Sequence, residues 1–157
     1  MWANAGIEVE MSHKKLHRVK GDLLTELLQT GDKVTVKLSD YVTKNQRKGE
    51  GTLQDFWKKI KSGDLDFNYI ENVDLPKNLV KNYGLKWDFE TENFIQEVLE
   101  GPMAGITKPT YYFGSKYSAF PWHREDADLR SLSYLIAGSP KVCFTLGFSN
   151  SITSILF

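Results

Sequence analysis

The chain has a single cysteine, three histidines and five prolines in 157 residues. With Cys143 alone, no internal disulfide can form, which fits a reducing compartment. No stretch approaches 18 consecutive apolar residues, so no membrane-spanning helix is predicted. An excess of one charge is also missing. Twenty basic residues balance twenty acidic ones, and bulk electrostatics therefore gives no support for sequence-specific or general nucleic-acid binding. Met1 to Glu10 has neither an apolar run nor a basic lead, unlike a secretory leader. The expectation is an intracellular chain of one domain, long enough to bury a core.

The periodicities present suggest mixed elements. Leu24, Leu27 and Leu28 fit a helical period over Leu23 to Gln29, with Gly31 as its stop. Val34, Val36 and Leu38 alternate like a half-buried strand, and polar Asp40 to Gly51 reads as a loop. Thr52 is a candidate N-cap for a helix whose apolar stripe is Leu53, Phe56, Trp57 and Ile60, closed by Gly63. Leu65, Phe67 and Tyr69 predict a strand, and Leu85, Trp87 and Phe89 another. Thr91 to Glu100 predicts a helix. Thr110 to Phe113, Tyr117 to Phe120, Arg130 to Ile136 and Lys141 to Leu146 predict strands. His13 and His17 stand four apart, but lysines crowd them and no carboxylate is near in sequence, so a solvated basic segment is expected there.

The chemistry concentrates between Thr110 and Phe144. His123 and Glu125 are one residue apart, and on an extended backbone that spacing puts both side chains on one face. A neutral imidazole and a carboxylate held in this way make two-thirds of the facial triad of non-haem iron(II) oxygenases. Taken alone, H-x-E is a weak signal, because it also occurs as an ordinary surface pair. Its surroundings strengthen it. Phe120-Pro121-Trp122 supplies an aromatic wall, Ser131 and Ser133 share one face of the following segment, and Lys141 offers an ammonium to a ligand carboxylate.

The run Y-Y-F-G-S-K-Y-S-A-F-P-W-H-R-E-D-A-D-L-R-S-L-S-Y-L-I-A-G-S-P-K resembles the metal-binding segment of the jumonji (JmjC) histone lysine demethylases. It is most similar to the group acting on trimethylated lysine 9 and lysine 36 of histone H3. D-x-D-L after H-x-E, and S-x-x-Y-L…G-x-P-K, are the specific parts. The likeness is clear over about Ile106 to Lys141 and extends more loosely back to about Thr52. It implies an α+β, mainly β fold, a partial double-stranded β-helix of the cupin-like jelly-roll kind with helices packed outside. Residues 1–51 would form an N-terminal mixed segment, 52–146 a partial JmjC domain and 147–157 an apolar tail.

The resemblance implies Fe(II) as metal and 2-oxoglutarate as cosubstrate, in a nuclear dioxygenase that hydroxylates an N-methyl group and releases formaldehyde. Its partners would be chromatin and a histone H3 tail carrying a methylated lysine. His123 and Glu125 would be metal ligands. Lys141, Phe120, Tyr69 and Ser133 would line the cosubstrate site, and Tyr112 and Ser131 the substrate pocket. The departures are specific. Ser133 stands where the family usually has asparagine, Thr110 replaces a cage tyrosine, and V-C-F-T-L-G-F-S-N-S replaces an aromatic continuation. No histidine follows His123 to serve as the family's third iron ligand. The sequence therefore predicts a truncated or divergent jumonji chain with impaired catalysis, or a non-catalytic chromatin-binding scaffold or gene fragment.

Overall fold

A computed structural model describes residues 6–18, 25–46, 51–63, 65–75, 101–121, 123–125, 129, 131–148 and 151–156. The strand and helix expected around Leu85 to Glu100 lie outside these residues. The central element is β1 (Glu8–Arg18), eleven residues long. Its first half pairs with β3 (Val34–Lys37), from Glu8↔Lys37 to Met11↔Val34. Its second half pairs with β2 (Thr25–Gln29), from Lys14↔Gln29 to Arg18↔Thr25. On its other edge β1 meets β4 (Leu65–Val73), which in turn pairs with β5 (Tyr111–Gly114). All these pairings are antiparallel. The five strands form one sheet that joins both sides of residue 51.

Among the described residues, two helices precede β4. α1 (Leu38–Gln46) begins directly after β3 and buries Leu38 and Tyr41. α2 (Leu53–Ser62) is capped by Thr52, whose hydroxyl accepts the Asp55 amide at 3.1 Å. That bond satisfies one orphan donor of the first turn. A separate hairpin, β6 (Cys143–Phe148) with β7 (Ser151–Leu156), follows. The fold is thus mainly β, with helices against an antiparallel sheet, as expected of a partial double-stranded β-helix.

Two apolar clusters lie against this sheet. Leu16, Leu65, Phe67 and Tyr69 bury against Phe56 and Ile60 of α2, with Ala119. Val9, Ile70, Val73 and Leu75 bury against Leu38 and Tyr41 of α1. β4 serves both clusters because successive residues of a strand face opposite sides of the sheet, and its register shift between Ile70 and Val73, where Asn72 takes φ +56°, brings Val73 to the face of Ile70. Such a bulge re-aims the side chains beyond it.

Several predicted elements differ. Thr25 to Gln29 is a strand and not a helix, since the β1 ladder outweighs a short leucine period. Asp40 to Gln46, expected as loop, is helical, and Leu38, expected at the end of the strand, opens that helix. Leu38 and Tyr41 are its buried anchors, with Val42 packed beside them, and its polar remainder hid the pattern. Tyr117 to Phe120 form no strand. Ser118 donates to the Ser115 carbonyl at 3.0 Å, a turn in which Tyr117 takes φ +67°. Residues 131–136 run without a ladder. The stripe on α2 is only half core, because Leu53 and Trp57 are exposed while Phe56 and Ile60 are buried. Residues 151–156 of the expected tail form β7.

Phe56 is 3% exposed at the centre of the first cluster. Phe56→Ala is expected to lower unfolding free energy by about 3–5 kcal/mol, and Thr52→Ala by about 1 kcal/mol. Urea denaturation measures both, and a smaller loss for Phe56 than for Thr52 would contradict this packing.

Candidate metal and dicarboxylate site

The site begins at a chain of rings. Tyr69, at the middle of β4, is 6% exposed. It meets Phe120 edge-on at 5.1 Å between centroids and Tyr112 of β5 at 6.2 Å. Phe120 lies 6.4 Å from Tyr112 and 6.1 Å from the His123 ring. Edge-on and offset pairs of this kind bring opposite parts of the ring quadrupoles together. Gly114 makes the arrangement possible. It pairs opposite Tyr69 in the ladder, and a Cβ there would collide with Ser118 Oγ and sit 3.4 Å from Tyr69 Cε2.

His123 and Glu125 come together as their spacing suggested. His123 Nε2 is 3.8 Å from Glu125 Oε1, and both side chains are about one-third exposed. His123 Nδ1 lies 2.9 Å from the Pro121 carbonyl oxygen. A carbonyl can only accept, so Nδ1 carries the proton. In the neutral ring the Nε2 lone pair is then left facing Glu125. This is the tautomer control that metal-binding histidines use. Ser131 donates to Glu125 Oε1 at 2.8 Å, restraining the carboxylate. Ser131 therefore bonds to a predicted ligand residue.

Lys141 and Ser133 form a second group, with Lys141 Nζ donating to Ser133 Oγ at 3.1 Å. Desolvation holds the Lys141 pKa below the ordinary lysine value, against the opposing pull of Cys143 and Glu125. The field of Glu125 thus links this group to the His123 pair. Burial pushes the Tyr69 phenol far above the usual tyrosine range, and Tyr112, Glu71 and Tyr41 add to the shift. Tyr112 is half exposed, and its hydroxyl donates to Asn72 Oδ1 at 2.9 Å.

Sequence reasoning missed several contributors. Asn72 and Gly114 act through the bulge and the close ring approach, which no local pattern announces. Lys14 and Glu71 meet at 2.7 Å beside Tyr69 although 57 residues separate them. His13, by contrast, lies outside the ring chain. Its carboxylate neighbour, not foreseen, is Asp66 at 3.5 Å, and its Nδ1 lies 2.9 Å from Asn68 Oδ1. No group of three or more His, Cys, Asp or Glu side chains suited to a metal is found among the described residues.

Two outcomes follow. Gly114→Ala should lower thermal stability and alter the near-ultraviolet circular dichroism of the tyrosines, because Ser118 and Tyr69 must both move; unchanged spectra would count against the close approach. A lysine with a lowered pKa is deprotonated, and hence nucleophilic, at a lower pH than a solvated one. Lys141 should therefore be acylated faster than a lysine in a short solvated peptide as pH rises from 8 to 10, read by mass spectrometry; equal rates would remove the desolvation argument.

No family model matches the chain, and no solved structure does. Curated proteins do. Lysine-specific demethylase JMJ706 of Oryza sativa subsp. japonica is 32% identical over 100 residues, covering 58% of this chain and 12% of its own length. Lysine-specific demethylase 4D of Rattus norvegicus is 30% identical over 97 residues, covering 59% of this chain and 19% of its own. Lysine-specific demethylase ELF6 of Arabidopsis thaliana is 45% identical over 90 residues, covering 52% of this chain and 7% of its own. The chain thus spans less than a fifth of the length of each of these relatives. Matches to lysine-specific demethylases from a mammal and two plants, together with the mainly β fold, support a likeness to the jumonji histone lysine demethylases over the matched stretch.

Proposed function

We propose that this chain carries part of the site of an Fe(II)- and 2-oxoglutarate-dependent dioxygenase that removes N-methyl groups from lysine. The observation that carries the reading is the His123–Glu125 pair, with Nε2 and Oε1 3.8 Å apart and Nδ1 committed to the Pro121 carbonyl. A lone-pair nitrogen and a carboxylate oxygen side by side suit iron(II) as two of its ligands. When bound, the metal would supply oxygen activation.

The chain's own residues have simpler tasks. His123 and Glu125 hold the metal, and Ser131 keeps one carboxylate oxygen of Glu125 in place. Lys141 pairs with the distal carboxylate of 2-oxoglutarate through its ammonium, with Ser133 holding the side chain and Tyr69 adding a hydroxyl. Phe120 packs against the cosubstrate and excludes water next to His123. Tyr112 offers a ring face to a methylated ammonium, an attraction that needs no hydrogen bond. The substrate on this reading is a methylated lysine of the histone H3 tail, of the lysine 9 and lysine 36 class, met on chromatin in the nucleus. The names of the relatives, lysine-specific demethylases, support lysine as the demethylated residue.

A second reading has its own observation. No third metal-suited side chain joins the pair among the described residues. A non-catalytic chromatin-binding role would require only the folded surface.

Formaldehyde release with iron, ascorbate, 2-oxoglutarate and trimethylated histone H3 peptide tests the first reading. Slow release is expected, dependent on every component and lost in His123→Ala. Mn(II) binding that is lost in His123→Ala, with no formaldehyde from the parent chain, would favour the non-catalytic reading. Absence of both would overturn the metal site.

A further inference from the structure

One buried cation has no task in the site described above. Lys14 is 8% exposed on β1, between Ser12 at 2% and Leu16 at 3%. An ammonium removed from water is costly unless it is paired and hydrogen-bonded. Lys14 has two compensating partners. Its Nζ donates to Glu71 Oε2 at 2.7 Å, and it stands 5.2 Å from the centroid of the Tyr69 ring, within cation–π range.

Both partners bear on the same phenol. Glu71 lies two residues beyond Tyr69 on β4, and its carboxylate is near enough to help raise the Tyr69 pKa. That negative charge is therefore felt at the hydroxyl. No hydrogen-bond partner for the Tyr69 hydroxyl is found among the described residues. Unmasked, Glu71 would repel any anion brought to that hydroxyl, and the ring would lose the cation on its face.

We infer that Lys14 is a positioning residue for an anionic ligand at Tyr69. It neutralises Glu71 and steadies the ring, so that the hydroxyl meets a ligand carboxylate without a bare negative charge behind it. The inference rests on the reading of Tyr69 as a cosubstrate residue. It adds to that reading a cation from the first strand of the sheet, one that acts on the pocket without entering it.

The test uses the full chain and N-oxalylglycine, a dicarboxylate analogue of 2-oxoglutarate, titrated calorimetrically in the presence of Mn(II). Lys14→Met is expected to weaken Kd about tenfold, the loss expected from one uncompensated like charge a few ångströms from an anion at intermediate dielectric. Lys14→Arg keeps the cation and most of the affinity. The double variant Lys14→Met with Glu71→Gln removes both charges, relieves the unpaired carboxylate and recovers most of the affinity. In a Tyr69→Phe background, Lys14→Met should have little further effect. A second readout needs no ligand: the ring carbon resonance of Tyr69 in protein labelled at tyrosine, assigned by its disappearance in Tyr69→Phe, should move in Lys14→Met.

An unmoved resonance, an unchanged Kd in Lys14→Met, or no recovery in the double variant would each overturn the inference. If the parent chain binds no N-oxalylglycine, the dioxygenase reading fails instead. The ring resonance then decides by itself whether Lys14 holds Tyr69.

Discussion

The antiparallel ladder between β1 and β4 is the constraint on which the remainder of this structure depends. From Ser12↔Tyr69 to Leu16↔Leu65, it sets which side chains of both strands face inward. One face receives Leu16, Leu65, Phe67 and Tyr69, and α2 closes over them with Phe56 and Ile60. A slip of one residue would send that whole set to the opposite face. The ladder also brings Lys14 to Glu71 across 57 residues of sequence. The packing of the core and the electrostatics around Tyr69 thus have one origin.

The second half of β4 turns this sheet into a site. Alternation sends Tyr69 to the first cluster and Ile70 to the second, and the register shift after Ile70 adds Val73 to the second. Tyr41 secures the junction from α1, its hydroxyl lying 2.8 Å from the Asn68 carbonyl and 3.1 Å from that of Phe113. Ser115 adds a further tie, its amide donating to the Asn68 carbonyl and its hydroxyl accepting the Asn68 amide. With β4 and β5 held in this way and Gly114 opposite Tyr69, the rings of Tyr69, Tyr112, Phe120 and His123 follow one another without gaps. Along that chain the Tyr112 hydroxyl donates to Asn72 Oδ1 and His123 Nδ1 faces the Pro121 carbonyl.

The residues with the clearest sequence signals are those whose geometry is local. His123 and Glu125 are one residue apart, so an extended backbone is enough to bring them together. Thr52 to Gly63 likewise announced α2 through a cap, a stripe and a stop. The strand at Leu65 to Tyr69 was legible because alternation has the same period as the pleat. Leu23 to Gln29 misled because a short leucine period fits a helix, while the neighbouring strand offered a ladder of backbone bonds. α1 was missed for the opposite reason, since two buried anchors suffice when tertiary contacts carry the helix.

The sequence by itself determined the chemistry: which donors exist, the pairing of His123 with Glu125, and a segment that resembles the jumonji demethylases. Tertiary structure alone decided how those groups are tuned. The proton on His123 Nδ1 follows from where the Pro121 carbonyl lies. The room for Tyr69 follows from Gly114 lying across the ladder, and the charge near its phenol from Lys14 meeting Glu71. The last two depend on distances between residues far apart in the chain, and a one-dimensional pattern carries no such distance until the strands have paired.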